Sequence, residues 1–305
     1  MFVLASLYLV SGCSAPLDEV WQLTSYRVLG VRNDPAEVSP GEPFTLSLVS
    51  ADNMTRDVST VWFLCPQRIS VVALAGGSST SLFNICPGGA MIDMGPQVQF
   101  TAPPSGGGTL DTMGRESFTV IGYSCAGGTI GLPTHSSNGL PTCTGTNASG
   151  TMFVRSVYET TQTALNPPNA NPTITDVRFG QPGSMFSLQP TVAPTIPRCA
   201  DQVHHNGCTH WQFEVTFDAA SRESYRDPDP LSGAIQTHQE RLTTEYLISG
   251  GSLDGGFRSD SADAPVSSFT NTFWAPAEAG PVDVWVYGND GRGGFDHAVR
   301  HLTVQ

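Results

Sequence analysis

Apolar side chains recur at every second position in short runs along most of this chain. In the run from Trp211, Phe213, Val215 and Phe217 alternate with Gln212, Glu214 and Thr216. Residues 44–49, Phe-Thr-Leu-Ser-Leu-Val, repeat the pattern. A period of two belongs to strands, because successive side chains point to opposite faces of a sheet. On this basis we predict strands over residues 27–32, 44–49, 60–65, 98–101, 117–123 and 151–157. A second series covers residues 174–179, 211–217, 242–248, 271–274, 282–287 and 298–304. Residues 60–65, Thr-Val-Trp-Phe-Leu-Cys, are apolar almost throughout and read as a strongly buried strand. Between the runs lie clusters of Gly, Pro, Ser and Asn, and no 12-residue stretch carries a convincing helical stripe.

The two series flank residues 160–172, a polar stretch containing Pro167, Pro168 and Pro172. Such composition stiffens a chain into an extended linker. The predicted fold class is therefore all-β, with two tandem domains over residues 25–159 and 173–305. The halves are weakly alike: Val31-Arg32 matches Val177-Arg178, and Phe100-Thr-Ala-Pro103 matches Phe273-Trp-Ala-Pro276, in the same order. We read them as two copies of one sandwich design. The segments around Phe217-Asp-Ala, Asp227-Pro-Asp-Pro, Phe273-Trp-Ala-Pro276 and Asp290-Gly-Arg-Gly-Gly294 resemble bacterial immunoglobulin-like and PKD-like domains. The resemblance covers residues 173–305 well and residues 25–160 loosely. It implies an immunoglobulin-like β-sandwich in each half, with residues 290–294 as the tight turn between the last two strands. The antibody pattern of Cys, Trp and Cys is not met, since Trp62 precedes Cys65.

The first residues carry a different signal. An apolar run from Met1 to Val10 ends in Val10-Ser11-Gly12-Cys13. This resembles a bacterial lipobox, with residues 1–12 as the lipoprotein signal peptide. The resemblance implies cleavage before Cys13, diacylation of the Cys13 thiol and a short spacer over residues 13–24. As a helix the apolar run spans about 15 Å, too short to cross a bilayer. Ser14 resembles the sorting signal of outer-membrane lipoproteins. The run Arg27-Val-Leu-Gly-Val-Arg32 with Val38-Ser-Pro-Gly-Glu42 resembles the N-terminal part of myxobacterial-type lipoproteins. The expected location is the outer membrane, facing the periplasm or the cell surface.

Composition narrows the classes. The formal charge is -13, which argues against nucleic acid as a partner. All 14 basic residues are Arg, so Schiff-base and P-loop chemistry that needs Lys is excluded. Of seven cysteines, assigning Cys13 to lipid leaves six, enough for three disulfides in an oxidising compartment. Six permit fifteen pairings; the sequential one, Cys65–Cys86, Cys125–Cys143 and Cys199–Cys208, is favoured because each bridge closes a polar, Gly-rich loop.

Candidate chemistry is sparse. His204, His205 and His210, close to Cys199 and Cys208, offer imidazole ligands for a transition metal. A disulfide-closed loop with exposed histidines is the plainer reading. Asp227, Asp229, Asp290 and Asp296 offer oxygen ligands for Ca²⁺ at a sandwich end, although Asp-Pro and Asp-Gly also favour simple turns. Gly122-Tyr-Ser-Cys-Ala126 resembles a nucleophile elbow, but Gly127 and Gly128 would break the helix that an elbow needs. Trp211, Trp274, Trp285, Tyr246 and Tyr287 either line a sugar-binding face or fill the core. No cofactor is expected beyond the calcium option. The expected function is that of a non-catalytic, lipid-anchored envelope protein acting in surface structure, adhesion or protein–protein interaction. Its partners would be the membrane and an envelope protein or polysaccharide. A carbohydrate- or calcium-dependent binding module is the alternative, and an envelope hydrolase the weakest reading.

Overall fold

The computed structural model describes residues 19–65, 86, 90–104, 115–133, 139–160, 165–229, 231–260 and 265–305. Cys13 and Ser14 lie outside these residues. The first half forms strands β1 (Arg27–Asp34), β2 (Glu37–Val38), β3 (Pro43–Ala51), β4 (Val58–Cys65) and β5 (Ala90–Met94), then β6 (Gln97–Thr101), β7 (Glu116–Ala126), β8 (Thr129–Gly131), β9 (Thr142–Thr144) and β10 (Ser149–Glu159). They make two layers, β1-β3-β6 and β2-β10-β7-β4-β5, with β8 and β9 as a separate hairpin. The second half contains β11 (Ile174–Gln181), β12 (Ser184–Ser187), β13 (Thr195–Ile196), β14 (Trp211–Phe217), β15 (Ser224–Pro228) and β16 (Ile235–Gln239), then β17 (Thr243–Ile248), β18 (Ser252–Leu253), β19 (Phe257–Ser259), β20 (Ser268–Trp274), β21 (Gly280–Asn289) and β22 (Phe295–Val304). Its layers are β12-β11-β14-β20-β18 and β13-β22-β21-β17-β19. The helical content among the described residues is a single 3₁₀ turn, Ala219–Ser221.

The protein is therefore all-β and built of immunoglobulin-like sandwiches. The two have the same plan. In each, a two-residue strand runs parallel to the last strand, β2 beside β10 and β13 beside β22, while the other pairings are antiparallel. The weak internal repeat falls on equivalent strands. Val31 and Val177 sit on the first strand of each half, and Phe100 and Phe273 on β6 and β20; all four are buried. Trp62 on β4 and Tyr246 on β17 occupy matching central strands, and both are fully buried.

Alternation explains each core. Val31, Phe44, Leu46, Val98 and Phe100 from one layer meet Trp62, Phe118, Val120 and Val157 from the other. In the second half Val177, Phe213, Val215, Phe217 and Phe273 meet Tyr246, Ile248, Val284, Val286 and Leu302. The continuous apolar run in β4 has its own cause: its outward residues, Val61 and Phe63, are also buried, with Ile121, Ile130 and Cys86. A strand covered on both faces loses the polar positions of a half-exposed one.

The three disulfides are Cys65–Cys86, Cys125–Cys143 and Cys199–Cys208. Cys125–Cys143 ties β9 to β7, and Cys199–Cys208 closes the loop between β13 and β14. None joins the two layers of a sandwich; the layers meet through the apolar cores and, in the second half, through hydrogen bonds such as Tyr246 Oη to Phe269 O and Arg258 to Asn271 Oδ1.

Two expected connectors prove to be packed structure. Part of the spacer is fixed to the second sandwich: Gln22 forms a parallel bridge with Ile248, where Leu23 N–H donates to Ile248 O at 2.8 Å and Ile248 N–H to Trp21 O at 2.8 Å. It occupies the place beside β17 that β19 leaves open, since β19 pairs only with residues 243–245. Leu23 then joins Ala51, Leu247 and Trp285, with Leu29 and Val299 against them, in an apolar cluster between the sandwiches. The described part of the Pro-rich stretch, residues 165–172, is likewise held, through the asparagines described next.

Candidate functional site

The turn after β21 brings the sandwiches together. Asp290 follows the last residue of β21, and its Oδ1 accepts from Arg292 N–H at 2.7 Å and Gly294 N–H at 2.9 Å. Gly291 and Gly293 have φ of 78° and 110°, conformations that glycine adopts without strain. A Cβ on Gly294 would lie 2.0 Å from Asp290 Oδ2, so this position admits only glycine. The expected tight turn over residues 290–294 is therefore present, and it does more than reverse the chain: it turns Arg292 inward.

Arg292 is 4% exposed and lies among carboxylates from both halves. Its Nη1 is 2.9 Å from Glu240 Oε1 and 3.5 Å from Glu223 Oε2, while Nη2 is 3.6 Å from Glu37 Oε1. Glu37, on β2 of the first sandwich, also pairs with Arg115 Nη1 at 2.5 Å. Tyr158 lies beneath the Arg115 guanidinium and Tyr225 beneath that of Arg292. Glu37 Oε2 accepts from Thr160 Oγ1 and from Asn169 N–H, both at 3.0 Å. Asn169 Nδ2 donates to Asp290 Oδ2 at 2.8 Å.

A second group of contacts continues the seam. Arg155 on β10 donates to Asn33 Oδ1 and to the carbonyl of Gly293. Asn171 Nδ2 donates to Asn33 O at 2.7 Å, and its Oδ1 accepts from Phe295 N–H at 3.0 Å. Arg32 pairs with Asp296, whose Oδ2 also accepts from Ile174 N–H at 2.8 Å. Phe295 lies against Gly30, where a Cβ would come within 2.7 Å of its ring. Residues 166–171 are thus a clasp, with Asn169 and Asn171 bonded to both halves. Two clefts border this seam. One, of about 550 Å³, is lined by Tyr225, His238, Glu240, Arg241, Asp290 and Arg292. The other, of about 380 Å³, lies between the sandwiches beside Leu29, Phe153, Glu245, Tyr287 and Phe295.

Burial, reinforced by the charge of Asp290, raises the Glu240 carboxyl to about 7, against an ordinary value of 4.5. Burial, with Glu116 nearby, raises Glu159 to about 7 as well. Folded carboxyls with raised values keep protons that the unfolded chain releases between the two values. Stability from these groups is therefore complete in mild acid and falls as pH rises through 7. We expect the melting temperature to be higher near pH 5 than near pH 8, and Glu240→Gln to flatten that slope; thermal melts across the range check it. The opposite contributions, from Asp52, Asp201 and Asp229, come from carboxyls lowered by hydrogen bonds. They are lost only at lower pH. Burial also holds the His297 imidazole below its ordinary value, which works against the effect near pH 5, while burial of Glu223 raises its carboxyl and adds to it.

The calcium candidates are not brought together. Asp290 and Asp296 are used in the seam. Asp229 Oδ1 accepts from Leu231 N–H, Ser232 N–H and Ser232 Oγ within its own turn. Asp227 lies in the β15–β16 ladder opposite Gln236. At Asp229, Asp290 and Asp296, hydrogen-bond donors occupy the oxygens a hard cation would need. The transition-metal candidates have other contacts. Cys199 and Cys208 are joined to each other, His205 stacks on Trp274 at 4.0 Å, and its Nε2 is 3.0 Å from Ser252 Oγ. His210 leans on the same indole at 5.6 Å, while His204 is exposed beside Asp201. No cluster of three or more metal-ligating side chains occurs among the described residues.

Ser124 is buried within β7 with its Oγ bonded to Tyr26 Oη, and the strand continues to Ala126, so no elbow forms. Of the aromatic candidates, Tyr246 is core, Trp285 is buried between the sandwiches and Trp211 stacks on Phe179. Tyr287 Oη donates to Glu245 Oε2 at 2.9 Å. Sequence reasoning missed Glu37, Arg115, Arg155, Glu240 and Arg292. The one signal available was three asparagines, Asn166, Asn169 and Asn171, spaced through a stretch otherwise read as inert linker.

No protein-family model matches the chain, and no curated protein matches it. Among solved structures it is similar to Escherichia coli alpha-2-macroglobulin activated by porcine elastase, at 10% identity and a TM-score of 0.22, over 94% of this chain and 22% of that one. The chain spans less than a quarter of that protein, and the likeness carries no inference about activity.

Proposed function

We propose that this is a non-catalytic, lipid-anchored protein of the outer membrane that acts by protein–protein contact in surface structure or adhesion. The observation that carries the reading is the β15–β16 ribbon, which adjoins the seam through the bond from Glu240 N–H to Glu223 O. Every residue of β16 is exposed. On the β15 side the ribbon is closed: Arg226 N–H donates to Asn166 Oδ1 at 2.6 Å, and Asn166 Nδ2 donates to Arg226 O at 2.8 Å. Arg226 faces Thr237. Antiparallel pairs whose groups point outward on one strand point outward on the other. The N–H and C=O of Ile235, Thr237 and Gln239 therefore face away from β15, on the side where the ribbon has no further strand among the described residues. An open row of this kind accepts a strand from another chain.

A rigid seam behind the ribbon favours such a role, because binding then costs little ordering of the two sandwiches. Three disulfides suit an oxidising compartment. No helix among the described residues is long and apolar enough to cross a membrane, so Cys13 is the proposed attachment.

Cross-linking of the full chain in intact cells, followed by affinity capture, tests both parts. Thr237→Pro removes only an outward N–H and should abolish the cross-linked product without lowering the melting temperature. Unchanged cross-linking would remove the ribbon from the account. Cys13→Ala should release the protein from the membrane fraction, and continued membrane association would remove the lipid anchor.

A further inference from the structure

The point where the chain leaves the folded body is set by the second sandwich. Trp21 and Leu23 are bonded to Ile248, at the far end of β17 from Thr243 and the Glu240 network. Val20, just before this anchor, is 74% exposed, and Phe257 on β19 is 53% exposed. The two belong to one patch: a Cβ on the intervening Gly256 would lie 3.3 Å from Trp21 Cβ and 3.5 Å from Val20 Cγ2. Arg27 Nη1 donates to Val20 O at 2.9 Å, fixing the chain as it turns into β1. Asn53 Nδ2 donates to Thr24 O at 2.8 Å, which places the exposed Met54 at this same end.

We infer that this end, with Val20 and Phe257, rests against the lipid surface and that the β15–β16 ribbon points away from it. The inference rests on the proposed lipid attachment at Cys13, and the occupant of the apolar patch is then the membrane itself. Cys13 lies six residues before Glu19, a tether of at most about 20 Å when fully extended. The ribbon end is farther from Val20 by about the length of β17, roughly 17 Å at the usual rise per residue. Turning the molecule over would use nearly the whole tether and would expose Val20 and Phe257 to water. The formal charge of -13 gives an anionic lipid surface no reason to draw the body flat against it. Leu231 and Ile235 at the ribbon tip are exposed as well, so it is the short tether at Val20 that sets which end faces the lipid. Although the first sandwich precedes the second in the chain, the second supplies the exit point and the patch.

Fluorescence quenching of the full lipidated chain tests this orientation in vesicles of phosphatidylethanolamine and phosphatidylglycerol. A fluorophore is attached in turn at Val20→Cys, Phe257→Cys and Gln236→Cys, and quenched by lipids spin-labelled at the headgroup. Quenching at residues 20 and 257 should exceed that at residue 236 several-fold. Equal or reversed quenching in protein that floats with the vesicles would overturn the orientation and leave the anchor intact. Protein that does not float would overturn the anchor, and the orientation with it.

Discussion

Replacing Arg292 by alanine is expected to destabilise the folded protein by about 3–5 kcal/mol, the cost of leaving buried charges without their partner. Glu37 and Glu240 each have side chains only 1% exposed, and Asp290 is 2% exposed. Without the guanidinium, only Arg115, beside Glu37, and Arg155, near Asp290, would be left to balance them. The turn itself should survive, because Asp290 bonds the main-chain N–H of residue 292 and not its side chain. The damage is therefore electrostatic, and it falls on the seam, since Arg292 links Glu37 of one sandwich to Glu240 of the other. Adding Glu240→Gln to Arg292→Ala should change little at pH 7, because the Glu240 carboxyl, already raised to about 7 by burial, takes up a proton once the guanidinium is gone. Urea denaturation followed by tryptophan fluorescence measures the loss. A loss under about 1 kcal/mol, the size of an exposed ion pair, would show that water reaches the network and that it does not lock the sandwiches.

Trp62→Ala should cost about 3–5 kcal/mol by a different mechanism, the cavity left in a packed core. Trp62 is fully buried on β4, its Nε1 donates to Gly95 O at 2.8 Å, and its ring meets Phe153 edge-on at 5.1 Å. The contrast is Tyr246→Phe on the equivalent strand. That change keeps the ring and removes only the bond from Tyr246 Oη to Phe269 O at 3.1 Å, so it should cost about 1 kcal/mol. Calorimetry of both variants separates the effects. A Trp62→Ala protein that unfolds within about 1 kcal/mol of the parent would mean that β4 does not organise the first core.

The long strands were legible because burial on one face imposes period two. Phe213, Val215 and Phe217 are buried, while Gln212, Glu214 and Thr216 are not fully so. The three disulfide pairs follow the order in the chain because each closes a nearby loop. The short strands β12, β13, β15, β16, β18 and β19 were not legible, since two to five residues at an edge carry too little apolar signal. Ile235–Gln239 has no buried residue at all. The seam was hidden for a deeper reason. Glu37, Arg115, Glu240 and Arg292 are scattered through the chain, each looks like an ordinary surface charge, and only their meeting makes them buried. The acidic residues that suggested calcium instead satisfy backbone N–H groups and arginines, a use that residue type alone cannot separate from metal binding.

The bond between residues 21–23 and Ile248 sets an order of events. Synthesis runs from the N-terminus, so Trp21 and Leu23 emerge first, while β17 emerges more than two hundred residues later. The first sandwich holds its own core and can close early. The segment ahead of it must stay undocked until β17 and β21 are in place, because Leu247 and Trp285 form its seat. Contacts between such distant parts of a chain are slow to form. The segment ahead of β1 therefore stays loose through most of folding and is drawn against the body only when the second sandwich is complete.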